Sequence, residues 1–557
     1  MSFFDDASLA FLPSSGAGKD GKAYSIKPTT GDGDFTFSRG SNLAATRVGP
    51  TGLIEKGREN LLLRSNQFDT TWVSINTTET GGETGYDGSS DAWLLTKTNA
   101  NGRIYQSISS SGVQSISIYA KAGTLDWLRL QVIDAINNPS VFFDLQNGVI
   151  GVNAGANYVD SSIESIGTDG WYRVSITFDK AIYLFNIYPA EGDEDTSGTS
   201  GNIYIQDAQV EIGLAATDYI ESGATTGKAG LLEDEPRFDY SGGATCPSLL
   251  LEPSRTQLVT QSEYFGGSDW VSSSNVNITD NVTTSPEGVQ NAALINFTSG
   301  SNYFQNGGAG MVSGSTYTIS CYVKRALSTD QVFRLYGNGN IVSGNFTATS
   351  EWQRFTYTFT AASTNFSCGL TTPSTCQIHL YGFQVEQASY PTSYIPNHSG
   401  GSVTRGADVC TGAGDASTFN DSEGVLYAEI SALANDGTFR NISVSNGTTA
   451  QAIRIYYRSN DDQITFLLGS SSGSGITTSI PSATDYIKVA AKYDTDTIKL
   501  FINGALINTI SSLTMPTGLQ QLDFNIAGVL PFYGKSKQIL YFPEALSDAD
   551  CITLTTL

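Results

Sequence analysis

The chain has 557 residues, with 30 Lys and Arg against 54 Asp and Glu, so its formal net charge is −24. A surface that acidic repels phosphate backbones and anionic lipid, which argues against nucleic-acid and membrane-inserted partners. No apolar run approaches the roughly 20 residues of a spanning helix. Abundant glycine (58) with only 15% charged residues suits many short strands joined by polar turns.

The first segment, 1–45, lacks the basic start and apolar core of a signal peptide. Phe3, Phe4, Leu9, Phe11 and Leu12 form an apolar cluster that its own segment cannot bury. The expectation is an attachment arm that docks on another protein. Asp32 and Asp34, in GDGD, are either a weak calcium site or a solvated turn.

From residue 46 the chain says one thing twice. GLIEKGRENLLLRSNQF (52–68) returns as LLLEPSRTQLVTQSEYF (249–265), matching Glu55, Arg58, Leu61, Ser65 and Phe68 to Glu252, Arg255, Leu258, Ser262 and Phe265. Trp72 is answered by Trp270, SISIYAKA (115–122) by TISCYVKR (318–325), and WYRVSITF (171–178) by WQRFTYTF (352–359). IYIQDAQVE (203–211) is answered by IHLYGFQVE (378–386), and Thr217, Tyr219 and Ile220 by Thr392, Tyr394 and Ile395. One domain has been used twice. Its segments alternate with period two, as Ile116, Ile118 and Ala120 do against Ser117, Tyr119 and Lys121. That is half-buried antiparallel β-structure, most simply a jelly-roll sandwich. The modules are assigned to 46–224 and, with a linker, 225–400. Glu55 with Arg58, and Glu252 with Arg255, are expected to form ion pairs pinning each module's first strand.

Residues 401–557 form a third unit. YIKVAAKYD (486–494) alternates, and Asn503-Gly504 between two apolar runs is a strong hairpin signal. Ser547, with Asp550 three residues on, is a plausible cap for a short last helix. This order of strands and final helix resembles laminin-G or concanavalin-like sandwiches. The fold class is therefore all-β: two related jelly rolls and a lectin-like sandwich in series.

Few residues offer chemistry. His379 sits in a strand, and neither it nor His398 belongs to a triad or zinc constellation. Glu211 and Glu386 recur at equivalent places, so a catalytic role would put the same reaction in both modules. Asp193, Glu194 and Asp195, in GDEDTSG, are dense enough in oxygen to suit calcium, or are a solvated hairpin tip. The six cysteines form no disulfide framework, though Cys368 and Cys376 stand close enough in sequence to face across a hairpin. Trp93 and Trp127 are not shared between the modules, so with Tyr86 and Tyr105 they are the candidate sugar-stacking rings. The alternative for each ring is core or interface.

PRFDYSGG (236–243), leading into LLLEPSRTQLVTQSEYF, resembles a module start common in bacteriophage tail-fibre and head-fibre proteins. Arg237, Phe238, Tyr240, Leu250, Leu251, Glu252, Arg255, Thr256, Leu258, Ser262 and Phe265 carry the resemblance, and Gln257 departs from the usual Asn. Residues 1–47 are similar to the start of such proteins. The body of each module is similar to carbohydrate-binding jelly rolls appended to glycanases. The resemblance implies a non-enzymatic virion-surface protein, assembled in the host cytoplasm and held to other virion proteins by the arm. It implies weak multivalent contact with host-surface glycan, and a homo-oligomer, a trimer first. Alternatives are a purely structural fibre or decoration protein and a polysaccharide depolymerase. A bacterial adhesin is disfavoured by the missing export signal.

Overall fold

The computed structural model describes residues 3–13, 18–19, 21–40, 43–133, 138–308, 310–338, 341–459, 462–470 and 472–557. They form three antiparallel β-sandwiches. The first module pairs two six-stranded sheets. One runs Tyr158–Ile166, Trp171–Asp179, Val113–Ala122, Gly201–Ile212, Ala92–Lys97, Thr77–Glu83. The other runs Val149–Ala154, Ser140–Asp144, Trp127–Ile133, Ile182–Ala190, Arg103–Ser110, Val73–Ile75. Ile116, Ile118 and Ala120 face Leu128, Leu130, Phe185 and Ile187 across the core, as the two-residue alternation requires.

The second module repeats both strand orders. Gln353–Thr360, Thr316–Arg325, Cys376–Glu386, Gln290–Phe297 and Val276–Thr284 form one sheet. Gln331–Gly337, Cys368–Thr371, Tyr303–Asn306 and Trp270–Ser272 run in the same relative order in the other. Single hydrogen bonds are duplicated as well. Asn60 donates to the Ala208 and Ile220 carbonyls and accepts from Leu62 and Val210. Gln257 does the same with Phe383, Ile395, Val259 and Val385. Gln257 thus replaces its Asn counterpart without losing a bond.

In the third sandwich, Glu423–Ala432, Ile487–Asp494, Thr497–Ile502, Ala505–Ile510 and Gly534–Phe542 share the larger sheet. Asn503 and Gly504 turn its hairpin at φ 47° and 82°, and Ser547 caps the helix Asp548–Thr555 by accepting from the Asp550 amide.

The first segment does not reach away from the body. Leu9–Phe11 pairs antiparallel with Gly534–Phe542, setting Ala10 opposite Leu540. Leu9 and Phe11 are wholly buried in the third sandwich's core, and Phe3, Phe4 and Leu12 pack on a second cluster with Val425, Tyr427, Leu540 and Phe542 of the same sheet. The apolar cluster did need a partner, but the partner is this same chain. Arg237–Asp239 and Ser248–Leu251, expected as linker and module start, are strands of the same sheet.

The expected Glu55–Arg58 and Glu252–Arg255 pairs do not form. Residues three apart on a strand lie about 10 Å apart on opposite faces. Glu55 pairs instead with Arg47 at 2.7 Å. Arg58 reaches Glu287 at 2.6 Å and Glu211 at 3.5 Å, and Arg255 reaches Glu386 at 3.8 Å. Glu252 lies between Arg237 at 2.5 Å and Arg405 at 2.7 Å, and Asp408 bridges Arg237 to Arg39. Burial alone would raise Glu252, but Arg405 and Arg237 more than offset it and hold the carboxyl well below the usual range. This buried hub ties the first segment, the inter-module segment and the stretch after module two.

Candidate ligand-binding face of the first module

Alternation assigns one side of Leu128, Leu130, Phe185, Ile187 and Ile104 to the core, so their neighbours stand on the outer face of the second sheet. Register aligns these neighbours in rows. Tyr105 lies opposite Asn186, Asn186 opposite Gln131, and Gln131 opposite Ser140. In the next row Arg103 follows Tyr188, Arg129 and Phe142. Trp127 comes next, between Ala190 and Asp144. Four adjacent strands make this strip about 14 Å wide.

The second row alternates cation and ring. The Arg129 guanidinium lies 5.1 Å from the Tyr188 ring centre and 5.3 Å from that of Phe142, and Arg103 lies 5.6 Å from Tyr188. Tyr188 donates to Gln131 at 2.8 Å. Burial, the largest cause, pulls Arg129 below its ordinary value, with Tyr188 opposing and Arg103 adding to the shift. Asn186, within the first row, is fully buried, yet among the described residues neither its amide nitrogen nor its amide oxygen has a hydrogen-bond partner. Buried amides without partners are rare and costly.

Of the rings singled out from sequence, Tyr105 and Trp127 belong to this face. Trp93 does not: its indole packs toward the core against Phe68, and its N–H donates to the Asn66 carbonyl at 3.0 Å. Gly81 leaves room for that ring, since a Cβ there would come within 3.2 Å of it. Tyr86 lies on the outer face of the other sheet, stacked on Tyr119 at 3.7 Å, with its hydroxyl donated to Asp207 at 3.0 Å. Both are held by scaffold contacts, so the sugar-stacking expectation narrows to Tyr105 and Trp127.

The acids do not converge on a metal. Asp193 accepts from the Val152 amide at 2.8 Å, beside Trp127 and Gly151, and Asp195 accepts from the Ser197 amide and hydroxyl. Asp34 accepts from the Ser25 amide, and Asp32 from the Thr30 hydroxyl. Among the described residues no group of three or more His, Cys, Asp or Glu side chains is placed to hold a metal ion. The calcium expectation for Asp193, Glu194 and Asp195 therefore has no ligand set behind it. Dense acids in a turn satisfied local backbone amides instead.

Glu211 accepts from the Thr217 amide and hydroxyl, and Glu386 from those of Thr392. Each pins the end of its module. His398 is buried, its Nε2 3.7 Å from Glu263, and burial pulls it below its ordinary value; His379 is shifted the same way by burial and Lys324. All six cysteines are free thiols, Cys368 and Cys376 included.

Sequence reasoning missed Arg103, Arg129, Gln131, Asn186 and Tyr188. The signal was present in WLRLQVI (127–133), where Trp127, Arg129 and Gln131 alternate with leucine and valine on a strand.

No family model and no curated protein matches the chain. Among solved structures it is similar to the CBM40 of a Ruminococcus gnavus IT-sialidase bound to alpha2,3 sialyllactose. That likeness has 22% identity and a TM-score of 0.22, over 25% of this chain and 84% of that one. It is also similar to the tandem CBM22 domains of Paenibacillus barcinonensis Xyn10C, at 12% identity and a TM-score of 0.22, over 59% and 98%. An exo-inulinase from Aspergillus awamori matches at 12% identity and a TM-score of 0.18, over 97% and 98%. The chain itself is all-β and built of sandwich-like sheets.

Proposed function

We propose that the chain binds saccharide without chemically altering it, through the outer face that carries Tyr105, Trp127, Arg129, Gln131, Asn186 and Tyr188. The observation that carries this reading is the part-exposed strip of Tyr105, Trp127, Arg103 and Arg129 on one sheet face, where the rings of Tyr105 and Trp127 offer apolar surface to sugar C–H groups beside two guanidinium donors. The wider role, a bacteriophage appendage touching the host surface, is supported by the resemblance of residues 236–265 to fibre modules. A shallow face grips weakly, so a homo-oligomer presenting several copies would supply the avidity.

The test is affinity electrophoresis of the purified chain in host-surface and plant polysaccharides, with reducing ends assayed after incubation. Tyr105→Ala and Trp127→Ala each weaken retardation about tenfold, a loss of about 1.4 kcal/mol, while Tyr303→Ala in module two leaves it unchanged. New reducing ends would replace this reading with a depolymerase, and no retardation in any polysaccharide would favour a purely structural protein.

A further inference from the structure

The same face also indicates the charge of its ligand. Guanidinium groups elsewhere in the chain that are buried or stacked on rings carry hydrogen bonds as well: Arg237 and Arg405 meet Glu252, Arg354 donates to Ser320 and the Thr392 carbonyl, and Arg454 donates to Asn441. Among the described residues Arg129 meets the rings of Tyr188 and Phe142 and no hydrogen-bond acceptor, and its Nε is buried without a partner. Arg103 is in a similar state: its Nε is buried and unpaired, and its terminal nitrogen reaches only the Asn101 carbonyl at 3.5 Å. The nearest acid on the rows, Asp144, already accepts from the Gln146 and Asn147 amides and the Asn147 side chain. Two cations that share one tyrosine ring, with no carboxylate of the described residues between them, repel each other and raise the free energy of the empty face. In a chain with 54 acidic residues, acids were available to neutralise them.

We infer that the saccharide taken by this face is anionic, a sugar unit bearing a carboxylate or sulfate that sits between Arg103 and Arg129. The inference rests on the binding reading above. The planar guanidinium fork matches a carboxylate or sulfate with paired N–H donors, and the Tyr188 and Phe142 rings hold both forks in place. Module two lacks the constellation. By register, Gly369 stands where Asn186 does, and Arg334 is bonded to Asn345 at 2.6 Å.

The experiment titrates the full chain with homogalacturonan, alginate and chondroitin sulfate, each beside its carboxyl-reduced or desulfated form. The expected result is binding to at least one acidic form, with its neutralised counterpart about tenfold or more weaker. Arg129→Gln reproduces that loss on the acidic form, Arg129→Lys retains part of the affinity, and Arg334→Gln changes nothing. The ligand pairs need no variant, so the test stands even where a substitution disturbs folding. Equal binding of acidic and neutral forms, or binding of neutral polysaccharides alone, overturns the anionic inference and leaves the saccharide reading in place. An equal loss in Arg334→Gln overturns it too. Absence of binding to every acidic and neutral polysaccharide removes both.

Discussion

The two jelly rolls agree inside and differ outside. Both anchor their first strand with an amide side chain, Asn60 or Gln257. Both join a serine to a tyrosine hydroxyl, Ser65 to Tyr219 at 2.5 Å and Ser262 to Tyr394 at 2.6 Å. Both donate a tryptophan N–H to a loop carbonyl, Trp72 to Arg64 and Trp270 to Gln261. Yet one outer face carries Arg103, Asn186 and Gln131 where the other carries Tyr303, Gly369 and Tyr336. The other sheets diverge as well. In module two, Ile54 from the inter-strand hairpin covers Tyr381, Tyr394, Tyr322 and Trp352, whereas Tyr86 covers the corresponding rings in module one. The paired bonds fix the sandwich, and the faces are free to be covered, filled or left to a ligand.

Matched damage tests the shared part most severely. Asn60→Ala and Gln257→Ala each strip partners from four buried backbone groups and should cost about 3–5 kcal/mol, equally, in urea unfolding of the full chain. A large inequality would mean that the two scaffolds are not energetically alike. Asp207 sharpens the comparison, because it occupies the left-handed position, φ 53°, that Gly382 fills in module two at φ 62°. Burial raises the Asp207 carboxyl to about 6, against the Tyr86 hydrogen bond and with help from Asp91 and Asp87. A raised carboxyl stabilises the fold below its unfolded value near 4, and that contribution is lost as pH rises through 6. Asp207→Asn should therefore gain about 1–3 kcal/mol at pH 8 and almost nothing at pH 4, measured as unfolding free energy at both pH values. Asn186→Val, replacing an unpaired amide with an apolar group, should add about 1–2 kcal/mol of stability in urea unfolding. Destabilisation by Asn186→Val would instead place a partner on that amide. The smallest effect is expected from calcium or a chelator, which should move the melting temperature by no more than about 1 °C.

Much of this architecture was legible because a repeated sequence carries its own alignment. Period-two alternation in Ser115–Ala122 and Trp171–Phe178 identified strands, and Asn503-Gly504 and Ser547 identified a turn and a cap. The missed features are long-range. Nothing local in Leu9–Phe11 names Gly534–Phe542 as its partner, and Glu55 sits three residues from Arg58 but pairs with Arg47 because extended backbone separates the nearer two. Trp93 lacked a counterpart tryptophan in module two, which suggested exposure. The structure shows the other reason for an unmatched ring: Gly81 opened space that it fills.

Pairing Leu9–Phe11 against Ile539–Tyr541 spans more than five hundred residues. During synthesis Leu9–Phe11 must wait, unpartnered, until a strand made more than five hundred residues later has left the ribosome. Loop closure over that span is costly and slow, so Leu9–Phe11 is seated only after both jelly rolls, which lie between it and its partner, have been made. Removing the opening dozen residues would then leave module one intact and damage the opposite end of the protein.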